Sequence, residues 1–385
     1  MTAVEIPEIF SGTELFMIKF PNVKSIPVLY QWLRDHCRCD ECYNATTNQR
    51  NITILDFPEN IAPSKYDCSE GVLQVTWMGG HKSDYQLSWL LKNAGFIGDD
   101  SEEEKIPRIP WQKLPDIARV GLKPYLNNDA GLSSIISSVL RYGIGIVTGV
   151  DPTLAATEEV ITRIAPVQKT LFGEMWEVNH NGNDADVLEN GDLHVFQDTA
   201  YTAIALRAHT DNTYWCDAAG LQVFHMLKPA PIGGETLFVD GLSVTLKLKA
   251  EHPEAYERLT HTPISATYIA DGQHHVYRDP IIKLDPVTKK LLQIRFNLYD
   301  RSVMRTVPQN KMKQHYDDLR MIASIVAEKT RENYVKLQPG EVWIVDNWTV
   351  LHGRAGYQGS RHLGGSYVSR TDWQSKATVL GLINC

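Results

Sequence analysis

The feature that most constrains the fold is the series of strand-like segments that fills the chain from about Trp176 to its C-terminus. The segments are YTAIALRAHT, GLQVFHML, ETLFVDG, LLQIRFNLY, GEVWIVDNWTVLHG and GGSYVSRT. They are rich in β-branched and aromatic residues, which is typical of β-strands. One long helix-like segment, QNKMKQHYDDLRMIASIVAEKT, interrupts them. Many strands with long excursions predict a mainly β fold with flanking helices, built on a double-sheet jelly roll rather than a parallel α/β sheet.

The rest of the chain divides at a charged stretch with three prolines, DDSEEEKIPRIPWQKLP. We expect 99–116 to be a linker between an N-terminal domain, 1–98, and a main domain, 117–385. After the linker, AGLSSIISSVLRY and TEEVITRIAPVQKTLFG have helical spacing, with Thr157 as the candidate cap of the second helix. The polar segment 177–197 is predicted to be a surface loop.

Composition excludes several function classes. The formal net charge of −8 argues against nucleic acid or an anionic membrane as the main partner. No apolar run approaches the length of a membrane span. Three glutamates precede the first lysine, Lys19, which is unlike a transit or signal peptide. We therefore expect a cytoplasmic location, or the mitochondrial matrix if a presequence has been removed.

The pair His209 and Asp211 lies in a strand-like stretch, LRAHTDNTYW, where side chains two residues apart share a face. An imidazole and a carboxylate are two of the three ligands of the 2-His-1-carboxylate site that holds Fe(II) in oxygenases. The third ligand should be a histidine on another strand, and His352 ends such a segment. Further along, the guanidinium of Arg361 could bind a carboxylate of a dicarboxylic co-substrate through two hydrogen bonds.

A second candidate metal site lies in the N-terminal domain. Cys37, Cys39, Cys42 and His81 offer three thiolates and one imidazole. Such a soft four-ligand set favours a tetrahedral, structural zinc site. The alternative is a group of buried free thiols that bind nothing.

The constellation HTD, GGETLFVDG, HGR and a later arginine resembles the taurine-dioxygenase-like group of Fe(II)/2-oxoglutarate oxygenases. With WLRDHCRCDECYN, DYQLSWLLKN, RFNLYDR and SRTDWQSKATVLGL it is similar to the carnitine-biosynthesis branch, whose members hydroxylate trimethyllysine or γ-butyrobetaine. The resemblance implies a double-stranded β-helix core and a small zinc-binding N-terminal domain. It implies Fe(II) on His209, Asp211 and His352, 2-oxoglutarate on Arg361, ascorbate as supporting reductant and a possible homodimer.

The resemblance also implies an aromatic cage. The cage positions of the family fall on Phe172, Trp176, Tyr201 and Tyr367. Aromatic faces suit a quaternary ammonium group, which cannot donate a hydrogen bond and is held by the ring quadrupoles. The alternative is that these four rings are ordinary core residues.

Asp198 bears on the choice of substrate, because it stands where the enzymes that act on γ-butyrobetaine carry asparagine. A carboxylate there would repel the carboxylate of γ-butyrobetaine and attract the α-ammonium group of Nε-trimethyllysine. Asn297 is a further polar candidate for the amino-acid end of the substrate. We therefore expect hydroxylation of Nε-trimethyllysine at C3, with O2 consumed and succinate and CO2 released. Hydroxylation of γ-butyrobetaine or of another trimethylammonium compound is the alternative.

Two rival classes use part of the same residues. A zinc hydrolase could bind its metal through His209, Asp211 and His352, but it would need neither Arg361 nor the cage. A non-catalytic reader of trimethylammonium groups would need the cage but not the metal ligands.

Overall fold

The structure, a computed structural model, describes residues 7–20, 25–94, 104–180, 199–270 and 272–383. No helix in these ranges is long and apolar enough to cross a membrane. Asp198 and most of the predicted loop 177–197 lie outside the described residues. The chain forms two compact units, Met1–Ser101 and Glu102–Cys385.

The first unit contains two antiparallel three-stranded sheets, a short hairpin and two short helices. One sheet consists of Glu8–Ser11, Leu15–Lys19 and Ile26–Leu29, and the other of Pro63–Ser69, Val72–Trp77 and Lys82–Gln86. The hairpin pairs Tyr43–Asn44 with Gln49–Arg50, and the helices are Tyr30–Asp35 and Leu87–Asn93. Buried and more exposed residues alternate along Leu15–Lys19 and Val72–Trp77, so one face of each strand enters the core.

The second unit is built on two β-sheets. In spatial order, the six-stranded sheet consists of Trp176–His180, Arg361–Val368, Leu221–Lys228, Glu341–Asp346, Ile144–Thr148 and Arg119–Gly121. The four-stranded sheet consists of Leu206–His209, Val350–Arg354, Thr236–Asp240 and Asn333–Val335. The rings of Phe238 and Trp343, one from each sheet, stack with centroids 5.5 Å apart inside a shared apolar core. This two-sheet core confirms the predicted mainly β fold.

Helices cover the outer face of each sheet and bury its remaining apolar side chains. The six-stranded sheet packs against Leu122–Asn127, Asp129–Tyr142, Leu154–Ile164 and Arg370–Val379. The four-stranded sheet packs against Gly241–Glu251, Pro253–His261 and Gln309–Val326. Smaller pairings join Pro263–Ala270 to Gln273–Pro280, Ile282–Leu284 to Leu291–Ile294, and Ile232–Gly233 to Tyr357–Gln358.

Two local predictions from the sequence were wrong. Thr157 is not a helix cap: the helix Leu154–Ile164 begins earlier, and the side chain of Thr153 accepts the capping hydrogen bond from the Ala156 amide. Thr157 is instead buried within the helix and shares a 2.7 Å hydrogen bond with His225 Nδ1. The first residues of the predicted loop 177–197 belong to a strand, because Trp176–His180 pairs with Arg361–Val368.

The described part of the predicted linker 99–116 is packed rather than extended. Arg108 forms an ion pair with Asp240, with 2.6 Å between Nη2 and Oδ1, and the backbone amide of Trp111 donates to the other oxygen of that carboxylate. Trp111 is buried in the core between the two sheets of the second unit. The apolar side chains of this stretch therefore pack into the second unit, although its charges and prolines predicted a linker. The domain boundaries given above stay a prediction.

Candidate active site

His209 and His352 lie directly opposite each other on neighbouring strands of the four-stranded sheet. The strand Leu206–His209 runs antiparallel to Val350–Arg354, and the register pairs the two histidines. Their ring centroids are 4.6 Å apart. Residues directly opposite each other in an antiparallel pair of strands have neighbouring side chains. Strand pairing therefore brings together two histidines that are far apart in the sequence.

Asp211 lies just beyond the end of its strand, in a turn rather than in the strand that the sequence predicted. The backbone of this turn is fixed by Asn347, whose side chain accepts a hydrogen bond from the Asp211 amide at 2.9 Å and donates to the Asp211 carbonyl at 3.2 Å. Asn212 has a φ of 59°, a left-handed conformation that asparagine tolerates better than most residues. The turn keeps the Asp211 carboxylate beside both imidazoles.

The two oxygens of the Asp211 carboxylate have different surroundings. Oδ2 accepts hydrogen bonds from Gln222 Nε2 at 2.6 Å and from the Tyr367 hydroxyl at 3.0 Å. Oδ1 lies 3.4 Å from His209 Nε2, and Oδ2 lies 3.8 Å from His352 Nε2. The hydrogen bonds on Oδ2 orient the carboxylate and direct Oδ1 towards the imidazoles, as outer partners of metal ligands do.

The imidazole of His209 is oriented by a hydrogen bond on its outer nitrogen. Nδ1 lies 2.8 Å from the carbonyl oxygen of Arg207, so it carries a proton, and Nε2 faces Asp211. Burial lowers the pKa of His209, but the Asp211 carboxylate outweighs it and raises that pKa. The ring of His352 packs against Phe224, with centroids 5.2 Å apart. Both Nε2 atoms therefore face the same point.

Burial and local charge set the protonation of these groups. Burial opposes ionisation of Asp211, but the imidazoles of His352 and His209 and the Tyr367 hydroxyl hold the pKa of its carboxyl below the usual range. Burial lowers the pKa of His352 to about 3, so its imidazole is neutral. Burial and the Asp211 carboxylate raise the pKa of Tyr367, so its hydroxyl stays protonated and donates.

Gly353 allows the two histidine-bearing strands to approach each other closely. A Cβ atom added there would lie 2.4 Å from the carbonyl oxygen of Leu206 and 2.9 Å from the carbonyl carbon of Arg207. Real Cβ atoms do not approach backbone this closely, so a side chain would push the strands apart. The glycine that follows His352 is thus required by the spacing of the site.

The donor set fits a divalent iron ion. One atom from each of His209, Asp211 and His352 lies within 4.8 Å of the others, and no other cluster of this donor type occurs among the described residues of the second unit. Two imidazoles and one carboxylate on one side of a cavity leave open positions for further ligands, which is the arrangement of non-haem Fe(II) oxygenases.

A cavity opens beside the three donors, and Arg361 forms part of its wall. The Arg361 side chain is buried, and its Nε and Nη1 atoms have no hydrogen-bond partner among the described residues. Burial lowers the pKa of Arg361 to about 10, so the guanidinium is still charged at neutral pH. Unsatisfied donors on a buried charge are costly, and a carboxylate bound in the cavity would compensate them.

The four predicted cage residues line the same cavity. The rings of Trp176 and Tyr367 lie 5.9 Å apart at an angle of 46°. Phe172 and Tyr201 are half-buried at its edge. Gly365 leaves room for the Trp176 ring, because a Cβ atom there would come within 2.6 Å of it. The structure therefore brings the predicted cage beside the predicted metal ligands.

Arg354 fixes the backbone that carries Tyr201. Its guanidinium donates to the carbonyl oxygens of Ala200 at 2.6 Å, Thr202 at 2.5 Å and Ile204 at 3.2 Å. Charge-assisted hydrogen bonds of this kind are among the strongest in proteins. Because Arg354 lies two residues after His352 on the same strand, it links the position of a predicted cage residue to that of a predicted metal ligand.

The sequence did not identify four residues that shape this site: Gln222, Asp300, Asn347 and Arg354. Gln222 carried a usable signal, because it is a polar residue within an apolar buried strand, LQVFHML. Asn297, which was predicted, lines the cavity beside Asp300. Asp198 was also predicted, but it lies outside the described residues.

The predicted zinc ligands converge in the first unit. The sulfur atoms of Cys37, Cys39 and Cys42 lie 3.5, 3.7 and 3.5 Å from His81 Nε2. The other ring nitrogen, Nδ1, lies 3.4 Å from a carboxylate oxygen of Glu41. Three thiols and an imidazole held by a carboxylate fit a tetrahedral zinc site.

The chain matches two models of known protein families. Residues 115–367 match the model of the taurine catabolism dioxygenase TauD, TfdA family, and residues 10–91 match that of the gamma-butyrobetaine hydroxylase-like N-terminal region.

Individual relatives cover nearly the whole chain. Mitochondrial trimethyllysine dioxygenase of Mus musculus is 36% identical to this chain, and the match covers 92% of this chain and 82% of the length of the mouse protein. Trimethyllysine dioxygenase of Meyerozyma guilliermondii is 30% identical over 94% of this chain and 91% of its own. Human gamma-butyrobetaine dioxygenase is 26% identical over 96% of this chain and 94% of its own.

Proposed function

The chain belongs to the TauD, TfdA family of dioxygenases, and we propose that it hydroxylates Nε-trimethyllysine at C3 with Fe(II), 2-oxoglutarate and O2. The observation that carries the proposal is the convergence of His209, Asp211 and His352 beside the buried guanidinium of Arg361 in one aromatic-lined cavity. Two nitrogens of that guanidinium have no hydrogen-bond partner among the described residues. A zinc hydrolase would need neither that guanidinium nor the cage. A non-catalytic protein that binds trimethylammonium groups would not need the three donors.

We assign Fe(II) to Nε2 of His209, Oδ1 of Asp211 and Nε2 of His352. Bound there, Fe(II) supplies the redox chemistry that couples decarboxylation of 2-oxoglutarate by O2 to hydroxylation of a C–H bond. The contribution of the chain is orientation. Gln222 and Tyr367 fix the carboxylate, and the Arg207 carbonyl fixes the tautomer of His209.

Arg361 is proposed to bind the distal carboxylate of 2-oxoglutarate. A guanidinium can hold a carboxylate by two parallel hydrogen bonds, which sets direction as well as affinity. Its burial supports this role, because charge-assisted bonds gain strength where water is excluded.

The substrate is proposed to lie with its trimethylammonium group against Phe172, Trp176, Tyr201 and Tyr367. Holding the two ends of the substrate at separate places presents one carbon to the metal and excludes reaction at the others. The identity of Asp198 supports trimethyllysine, because a carboxylate favours a substrate with an α-ammonium group over γ-butyrobetaine, which has none.

The test is incubation with Fe(II), ascorbate, 2-oxoglutarate and each candidate substrate in air, followed by mass spectrometry. We expect trimethyllysine to gain the mass of one oxygen atom, and ascorbate to prolong turnover as a supporting reductant. His209→Ala should form no succinate and keep the melting curve of the wild type. Preference for γ-butyrobetaine in the wild type would favour the alternative substrate, and turnover by His209→Ala would refute the iron site.

We also propose that Cys37, Cys39, Cys42 and His81 hold a structural Zn(II) ion. Metal analysis of the purified chain should find zinc that dialysis against a weak chelator does not remove. Cys39→Ser should lose the zinc and lower the melting temperature of the first unit, because zinc bound only by the folded state stabilises it. Full stability without zinc would contradict the assignment.

For location and assembly we propose the mitochondrial matrix and a homodimer. The names of the mouse, rat and human relatives support the compartment, whereas the acidic N-terminal residues predicted the cytoplasm. The resemblance to the carnitine-biosynthesis branch supports the dimer. Cell fractionation of the natural gene product and sedimentation of the purified chain test the two points.

A further inference from the structure

We propose that Arg34 is a positioning residue of the N-terminal metal site: its guanidinium donates to the Cys42 sulfur and compensates the negative charge of the zinc-loaded site. This inference rests on the proposed zinc site and adds to it a residue that does not bind the metal. The Nη1 atom of Arg34 lies 3.1 Å from Cys42 Sγ, which is a hydrogen-bonding distance.

The charge of the loaded site requires a nearby cation. Cysteines bind zinc as thiolates, and the imidazole ligand is neutral. Three thiolates outweigh the two positive charges of Zn(II), so the complete site carries one net negative charge. Cys37 and Cys42 are buried. A buried charge is costly unless an opposite charge and hydrogen bonds compensate it.

Arg34 meets this requirement from the buried side of the site. It lies in the helix Tyr30–Asp35, shortly before the first cysteine, and its residue surface is only 6% exposed. Its guanidinium lies over the ring of Phe57, 5.3 Å from the ring centroid. This cation–π contact holds the guanidinium in place while Nη1 donates to the sulfur. Because water is excluded, the attraction between guanidinium and thiolate is strong.

Other charged groups near the site face the solvent. The Glu41 carboxylate lies 3.4 Å from His81 Nδ1, but its side chain is 84% exposed. Arg38 is also exposed, and its guanidinium lies 4.0 Å from the centroid of the Tyr43 ring. Water and salt screen such charges. Among the residues that the structure describes, Arg34 is thus the cation at hydrogen-bonding distance from a sulfur atom of the site.

A guanidinium beside a thiolate changes the electrons of the sulfur as well as the stability of the site. Hydrogen bonds to sulfur ligands tune the electronic properties of thiolate-bound metals. Without Arg34, less energy is needed to transfer an electron from the sulfur to a bound metal ion by absorption of light. A residue that only packs in the core would not affect this energy.

The experiment replaces zinc in the full chain by Co(II), which accepts a tetrahedral site and shows a sulfur-to-cobalt charge-transfer band. Co(II) bound by His209, Asp211 and His352 has no sulfur ligand, so the band reports on the thiolate site alone. We expect Arg34→Met to move the band to longer wavelength. Zinc affinity, measured by competition with a chelator, should fall about tenfold or more.

Arg38→Met is the matched control, because it removes the same charge from the same motif at an exposed position. It should change neither the band nor the zinc affinity. Arg34→Gln is a second variant that keeps a neutral donor, and its band should move in the same direction by a smaller amount. It provides the measurement if Arg34→Met does not fold.

A band at the wild-type position in the Arg34 variants would overturn the inference, even if zinc affinity falls, because the role would then be structural. Equal effects of Arg38→Met would overturn it as well. The zinc site itself is tested separately by the wild type. If the wild type binds no zinc and shows no sulfur-to-cobalt band, that site is refuted whatever the variants do.

Discussion

The Tyr367 hydroxyl donates a 3.0 Å hydrogen bond to Oδ2 of Asp211, so one residue joins the predicted cage to the predicted iron site. Its ring lies 5.9 Å from that of Trp176 in the cavity, and its oxygen holds the Asp211 carboxylate. A direct hydrogen bond therefore joins the predicted cage to the predicted metal ligands.

Tyr367→Phe separates these two roles, because it keeps the ring and removes the hydroxyl. We expect the affinity for Fe(II) to fall about tenfold, since loss of an outer partner of a metal ligand typically has this effect. The KM for trimethyllysine should change much less. Anaerobic Fe(II) titration and steady-state kinetics measure the two quantities, and an unchanged Fe(II) affinity would show that the hydrogen bond does not support the carboxylate.

Gly353→Ala should separate the strands that carry His209 and His352. The added Cβ would lie 2.4 Å from the Leu206 carbonyl oxygen, and such overpacking costs about 1–3 kcal/mol. We expect a lower free energy of unfolding in urea together with weaker Fe(II) binding. Gly356→Ala is the matched control, because its Cβ would meet nothing closer than 3.5 Å. Equal effects of the two variants would contradict the explanation.

Arg361→Lys keeps a positive charge but cannot make two parallel hydrogen bonds. We expect the KM for 2-oxoglutarate to rise about tenfold to a hundredfold, because a point charge replaces a two-pronged contact. The exposed Arg320→Lys serves as the control. If the KM for 2-oxoglutarate stays constant while that for trimethyllysine rises, Arg361 belongs to the substrate and not to the co-substrate.

Arg354→Lys should loosen the backbone around Tyr201, because the single nitrogen of a lysine cannot replace the three guanidinium nitrogens that donate to separate carbonyl oxygens. Misplacing a substrate-holding residue by a small distance lowers kcat/KM by up to about a hundredfold. We expect the loss to appear in the KM for trimethyllysine, with Fe(II) affinity retained. Loss of Fe(II) binding instead would mean that Arg354 supports His352 rather than the cage.

The sequence was sufficient for the residues whose chemistry leaves few options. The convergence of His209, Asp211 and His352 could be predicted because two imidazoles and a carboxylate have few joint uses, and the family resemblance pointed to Arg361 and to the aromatic residues beside them. The strands of the core followed from their content of β-branched and aromatic residues.

Residues that act through contacts distant in the sequence could not be predicted. Arg354 contacts carbonyls some 150 positions earlier in the chain, and Asn347 contacts Asp211 across a similar interval. Local patterns also misled where packing decides the outcome. Trp111 lies in a charged, proline-rich stretch and is nevertheless buried, and Thr157 resembles a cap but is buried within its helix.

The most direct test is turnover of Nε-trimethyllysine under heavy-isotope O2 by the wild type and by Asp211→Ala. An iron oxygenase should place one labelled oxygen atom in the hydroxylated product, with an equal amount of succinate, and Asp211→Ala should form neither. Product whose new oxygen comes from water, or product formed without O2, would contradict an iron site built from His209, Asp211 and His352.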